Sequence, residues 1–83
     1  METKRWSIQI DITEDRDVTS ARAVLSTGGI DDHMAGIGRA RRNPIDRPVP
    51  DIGDELAVAR ALADLADRLH DATTQDIAEC LGR

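Results

Sequence analysis

Residues 6–13 read Trp6-Ser7-Ile8-Gln9-Ile10-Asp11-Ile12-Thr13, an alternation of apolar and polar side chains. A period of two puts one set of side chains on each side of an extended backbone, so the stretch predicts a β-strand with one buried face. Glu14-Asp15-Arg16-Asp17 has no apolar repeat and predicts the connection to a second strand. In that strand Ala21, Ala23 and Leu25 alternate with Arg22, Val24 and Ser26, and the small inward side chains leave room for a helix to lie close. Thr27-Gly28-Gly29 then ends it, because glycine supplies the positive φ of a tight turn.

A third strand is predicted over His33 to Arg41, with Met34, Gly36, Gly38 and Ala40 on one face and Ala35, Ile37, Arg39 and Arg41 on the other. Two glycines weaken a strand, and at such positions they mark a bulge or a close backbone approach. Pro44, Pro48 and Pro50 punctuate the following stretch, a polar crossover. Asp51, Asp54 and Glu55 then place negative charge where a helix begins, with Asp51 or Gly53 as its cap. The periodicity carries this helix to about Ala72. At 100° per residue Val58, Leu62, Leu65, Leu69 and Ala72 form the stripe expected to cover the sheet. Leu56, Ala59, Ala63, Ala66 and His70 form a second stripe, a candidate face for a partner subunit or for the end of the chain. The same alanines are also what a water-facing helix would use, alanine being the best helix former. Arg60 with Asp64, and Asp64 with Arg68, are spaced for ion pairs on the polar face. Thr73 or Thr74 is placed to cap a short terminal helix containing Ile77, Ala78 and Leu81, with Gly82 as its stop. The fold class is therefore α+β, in the order β-β-β-α.

The chain has 83 residues, enough for one domain with a thin core. Trp6 is its one aromatic residue, so burial must come from aliphatic side chains and many alanines. Cys80 is alone and cannot close an intramolecular disulfide, which leaves oligomerisation as the natural supplement and predicts a homodimer. With no paired cysteines, no leader pattern and no long apolar run, the expected compartment is a reducing cytoplasm, with no membrane contact.

No catalytic constellation is present in the sequence, and no cofactor or small-molecule substrate is expected. His33 and His70 lie in different elements without a nucleophile at a recognisable spacing. Cys80 reads as a small buried hydrophobe. Asp11, Thr13, Asp15 and Asp17 imitate the start of a calcium loop, but Arg16 replaces the glycine of its turn and Arg22 its closing glutamate. Gly36-Ile37-Gly38 lacks the helix that a phosphate-binding loop requires next, and Asp31-Asp32-His33 reads as a polar loop.

The net charge of −5 argues against a polyanion binder with a wholly basic surface, yet the charges are segregated. Arg39, Arg41, Arg42 and Arg47 cluster centrally, while acids dominate residues 11–17 and the helical half. Guanidinium groups grip phosphates with bidentate geometry, and a sheet backed by a helix is a shape used to contact RNA. No stacking aromatics accompany them, and Asp46, Asp51 and Asp54 are alternative partners for the same arginines.

The stretch from Gly36-Ile37-Gly38-Arg39-Ala40-Arg41-Arg42-Asn43-Pro44 through Asp51-Ile52-Gly53-Asp54-Glu55-Leu56 to Ala66 resembles the signature of an actinobacterial family of short uncharacterised proteins. Trp6 to Ile12 and Ala21 to Leu25 match the same pattern, so the resemblance covers nearly the whole chain. It implies a double-stranded-RNA-binding-domain-like fold, a homodimer, and a shape compared with ribosome hibernation factors. Some mycobacterial members of that family belong to the hypoxia and dormancy response. Arg39 and Arg42 stand where the family usually has apolar residues, and the sequence stops soon after Asp76-Ile77-Ala78-Glu79-Cys80, short of many relatives' tails. The expected function is a dimeric, non-enzymatic stress or dormancy protein engaging the ribosome or structured RNA. The alternative is a protein-interaction or regulatory module without a nucleic-acid role.

Overall fold

The computed structural model describes residues 1–29, 33–43 and 50–82, with the backbone alone for His33 and Pro50. Its elements run β1 (Ser7–Asp15), β2 (Val18–Ser26), β3 (His33–Arg41) and α1 (Pro50–Leu81). The strands form one antiparallel sheet in the order β1-β2-β3. This is the expected three-stranded sheet followed by a long helix. The limits of β3 coincide with the predicted ones.

The first hairpin is tighter than its polar sequence suggested. β1 continues through Glu14 and Asp15, so only Arg16 and Asp17 turn, and Arg16 adopts a positive φ of 57°. Asp15 stays in the strand because Val18 pairs with it in register. Asp17 and Arg42 prolong the β2–β3 pairing beyond Val18 and Arg41. There the Arg42 N–H donates to the Asp17 carbonyl at 2.8 Å. At the other end of β2, Gly28 takes the left-handed conformation expected of it, with φ 90°.

α1 runs antiparallel to β3, since Gly36 meets Ala61 and Leu65 whereas Gly38 meets Ala57 and Ala61. The glycines mark a close approach and not a bulge. A Cβ on Gly36 would lie 2.5 Å from the Leu65 nitrogen and would also collide with the Ala61 carbonyl. One on Gly38 would overlap the Ala57 carbonyl and the Ala61 nitrogen. With no side chain at positions 36 and 38 to hold it off, the helix backbone settles onto the strand. Its innermost residues are therefore Ala57 and Ala61, neither of them in the leucine stripe.

That shift corrects the expected packing. Leu65 is buried, at 2% exposure, and Val58 and Leu69 flank the core. Leu62, by contrast, is 38% exposed, and Ala72 is half-buried at the rim. The core consists of Ala21, Ala23, Leu25, Ala40, Ala57, Ala61 and Leu65, so five of its seven members are alanine.

α1 lies over β3 and β2 and scarcely touches β1. Consequently β1 does not bury the face its alternation predicted. Trp6, just before the strand, is 56% exposed, and Ile8, Ile10 and Ile12 are 46%, 36% and 45% exposed. The periodicity identified a strand correctly but could not say how wide a sheet one helix would cover. A helix about 10 Å across spans roughly two strands 4.8 Å apart.

The helix also continues where a second, separate helix was expected. α1 has 32 residues without a break. Thr73 and Thr74 do not cap a new helix. Their hydroxyls donate back to the carbonyls of Leu69 and His70, at 2.9 and 3.0 Å, which lets both remain inside the helix. Its first residue is Pro50, ahead of both expected caps; proline suits a first turn whose N–H groups lack helical partners. From Thr73 to Gly82 every residue is exposed, including Cys80, expected to be buried.

Candidate functional site

Covering one face of the sheet leaves the other open. Side chains alternate along each strand, and Ala21, Ala23, Leu25 and Ala40 face the helix. The opposite face therefore carries Gln9, Asp11, Thr13 and Asp15 of β1, Ser20, Arg22 and Val24 of β2, and Ala35, Ile37, Arg39 and Arg41 of β3. Asp11, Thr13, Ser20, Ala21, Arg22, Ile37 and Arg39 line a shallow, open concavity of ≈ 330 Å³ on it.

Pairing fixes the spacing of the charges. Arg39 and Arg41 are two residues apart on one strand, about 7 Å. Arg22 lies opposite Ile37, diagonal to Arg39 at about 7–8 Å. Among the described residues none of these three guanidinium groups forms a hydrogen bond or ion pair. Acids occupy the far edge, with Asp11 opposite Arg22 and Asp15 opposite Val18. The face is bipolar, with basic groups over β2 and β3 and acidic groups on β1.

The four arginines singled out in the sequence are thus divided. Arg39 and Arg41 share the open face. Arg42 lies past the strand, and its Nη2 donates to Asp17 Oδ1 at 2.7 Å in a half-exposed ion pair. Arg47 lies outside the described residues. Arg22, distant in sequence, joins the cluster through strand pairing, which sequence segregation alone did not reveal. None of Arg39, Arg41 and Arg42 pairs with Asp51 or Asp54; Asp54 Oδ1 is buried without a partner among the described residues.

Arg60 and Asp64 hold the helix to the outer edge of β3. Arg60 does not form its expected pair with Asp64; its Nη1 donates to the Arg39 carbonyl at 2.7 Å. Asp64 Oδ2 accepts the Ile37 N–H at 2.9 Å and the Arg68 Nε–H at 3.2 Å. These contacts, the backbone bond first and the arginine second, lower the Asp64 pKa below its ordinary value of 3.8. They also satisfy backbone groups that an edge strand would otherwise present to water.

The second helical stripe, Leu56, Ala59, Ala63, Ala66 and His70, is exposed on the side of α1 away from the sheet. No group of three or more His, Cys, Asp or Glu residues is placed to hold a metal among the described residues. No helix of the described residues is long and apolar enough to cross a membrane.

An antiparallel three-stranded meander backed on one side by a single long helix defines a small α+β class with an open sheet face. Within that class the chain belongs to the Rv2632c-like family, whose profile matches residues 4–83. It is 49% identical over 74 residues to the uncharacterized protein Rv2632c of Mycobacterium tuberculosis, covering 89% of this chain and 77% of that protein. It is 46% identical over 74 residues, with the same coverage, to the uncharacterized protein Mb1767 of Mycobacterium bovis. The crystal structure of Rv2632c superposes with a TM-score of 0.90 at 43% identity, covering 100% of this chain and 96% of the other.

Proposed function

We propose that this protein is a non-enzymatic binding module, working as a homodimer, that takes structured RNA or a ribosomal RNA surface on its open sheet face. The observation that carries this reading is the triad of guanidinium groups of Arg22, Arg39 and Arg41, unpaired among the described residues and side by side on the sheet face opposite α1. Their geometry suits successive phosphates of one backbone, and the acids of β1 confine such a ligand to the β2–β3 side. The absence of aromatics on that face favours recognition of the phosphate backbone over base stacking. The family resemblance implies a shape compared with ribosome hibernation factors, which supports the same class of partner, and a stress or dormancy setting rests on the mycobacterial members of that family.

The test is binding of labelled duplex RNA, and cosedimentation with ribosomes, across a salt series. Replacing Arg22, Arg39 and Arg41 together with alanine is expected to abolish most of the affinity and to flatten the salt slope by about one unit for each phosphate no longer engaged. Arg42→Ala, whose guanidinium is already engaged by Asp17, is the comparison variant. Unchanged affinity and slope in the triple variant would remove the reading.

The exposed helix stripe of Leu56, Ala59, Ala63 and Ala66 favours a second reading, a protein-interaction module. Capture of one defined protein after nuclease treatment, abolished by Ala63→Asp, would support that instead.

A further inference from the structure

The open face of the sheet is a grid whose rows are set by strand pairing. Thr13, Ser20 and Arg39 make one row across β1, β2 and β3, and Asp11, Arg22 and Ile37 make the next. Together with Ala21, these two rows line the shallow concavity of ≈ 330 Å³. Arg22 and Arg39 lie on its diagonal, with Ser20 between Arg39 and Thr13. Arginine donates, and serine and threonine hydroxyls donate as well as accept, so all four can serve a phosphate. Asp11 is the exception. Its carboxylate accepts and cannot donate, and beside a phosphate it repels. It stands directly opposite Arg22, yet among the described residues the two form no ion pair and Asp11 has no other hydrogen-bonding partner. A carboxylate left free beside two cations matches a ligand that presents an anion and, one sugar away, a hydrogen-bond donor.

We infer that the concavity seats one ribose with its attached phosphate, Arg22 and Arg39 gripping the phosphate and Asp11 accepting a hydrogen bond from the 2′-hydroxyl, so that the face binds RNA in preference to DNA. The inference rests on the phosphate-binding reading of this face and adds what the face selects. The order of groups across the sheet fits it. Phosphates stay over β2 and β3, and the sugar leans across Ser20 toward the β1 residues. The 2′-hydroxyl is donor and acceptor at once and distinguishes RNA from DNA. Thr13, two residues from Asp11 on the same face, can donate to it in return. Two other donors fit Asp11 less well. An amino group on a base would bring that base to a floor with no aromatic ring to stack it. A free sugar phosphate would leave unused Arg41, the next cation along β3, which a polymer engages through its neighbouring phosphate.

The test is fluorescence anisotropy with three duplexes of one sequence, RNA, 2′-O-methyl RNA and DNA, at one salt concentration. The 2′-O-methyl duplex keeps the RNA helix form and the phosphates but has no hydroxyl to donate, which separates the hydroxyl from the helix shape. The parent protein is expected to bind RNA about tenfold more tightly than 2′-O-methyl RNA, the factor that a hydrogen bond to a charged group supplies, and to prefer RNA over DNA at least as strongly. Asp11→Ala is expected to erase the difference between RNA and 2′-O-methyl RNA and, by removing a negative charge, to strengthen binding to DNA. Asp11→Asn retains an acceptor oxygen and is expected to keep part of the preference. Equal affinity of the parent protein for RNA and 2′-O-methyl RNA would overturn the inference and leave the phosphate reading standing. So would an undiminished preference in Asp11→Ala, or a loss in that variant shared equally by all three duplexes. Displacement of RNA by micromolar ribose 5-phosphate would overturn it too, by making a free sugar phosphate the ligand. Absence of binding to every duplex, or indifference of all three to the loss of Arg22, Arg39 and Arg41, would remove the reading itself and this inference with it.

Discussion

At Gly36 and Gly38 a hydrogen atom is the largest side chain the fold admits, because helix backbone occupies the space a methyl would need. Gly38→Ala is expected to cost about 1–3 kcal/mol in urea denaturation, since neither the Ala57 carbonyl nor the Ala61 nitrogen can yield without moving the helix. Gly28→Ala meets no atom within 4 Å and bears only the penalty of its φ of 90°, about 1 kcal/mol. Arg16 shows the reverse case, a bulky residue at positive φ, so Arg16→Gly is expected to stabilise by about 0.5–1 kcal/mol in the same assay. Asp64 adds a pH dependence. Its ionised form is held by Ile37 and Arg68, so its contribution is present above pH 3.8 and fades as the pH falls below it toward the lowered value. Acid titration of stability is therefore expected to be shallower in Asp64→Asn than in the parent protein. The need for small residues at 36 and 38 was legible in the sequence as glycines inside a strand. Which helix positions would meet them was not, because helical periodicity leaves the rotation of a helix about its axis to be set by its neighbours.

Among the elements, the strands were the more legible. A period of two locates a strand from its own residues, and β2 and β3 appear with the alternation read from them. Burial is a property of what lies across the sheet, and for β1 the covering layer is missing in a single chain. The helix departs from its sequence signals at both ends for one reason: a continuous backbone ladder outweighs a local capping preference. Thr73 and Thr74 resemble caps, yet their hydroxyls fold back onto the preceding turn. Replacing both with alanine is expected to raise helicity and stability by a few tenths of a kcal/mol each, where removal of a true cap would lower them. Circular dichroism with thermal unfolding distinguishes the two. The ten exposed residues from Thr73 to Gly82 extend beyond the sheet, and their amides are expected to exchange faster than those of Ala57 to Leu65.

At the scale of the whole molecule, the candidate surfaces differ in kind and lie on opposite sides of the sheet. One exposes the ladder of Ile8, Ile10 and Ile12; the other carries the guanidinium groups of Arg22, Arg39 and Arg41, proposed above as phosphate contacts. Segregation of the arginines was visible in the sequence, but strand pairing regrouped them, adding Arg22 and engaging Arg42 with Asp17. A single Arg22→Ala is expected to weaken RNA binding about as much as Arg39→Ala, a result that sequence proximity gives no reason to anticipate. The glycines of β3 have one more effect, on sliding. Moving α1 by one turn in one direction would bring Leu69 against Gly36 and Leu65 against Gly38, where the helix now presents only alanines on that side. The opposite slip would fit but would pull Leu65 out of its seat. The helix thus sits in a detent, able to lift away from the sheet or stay, with no intermediate stop along its length.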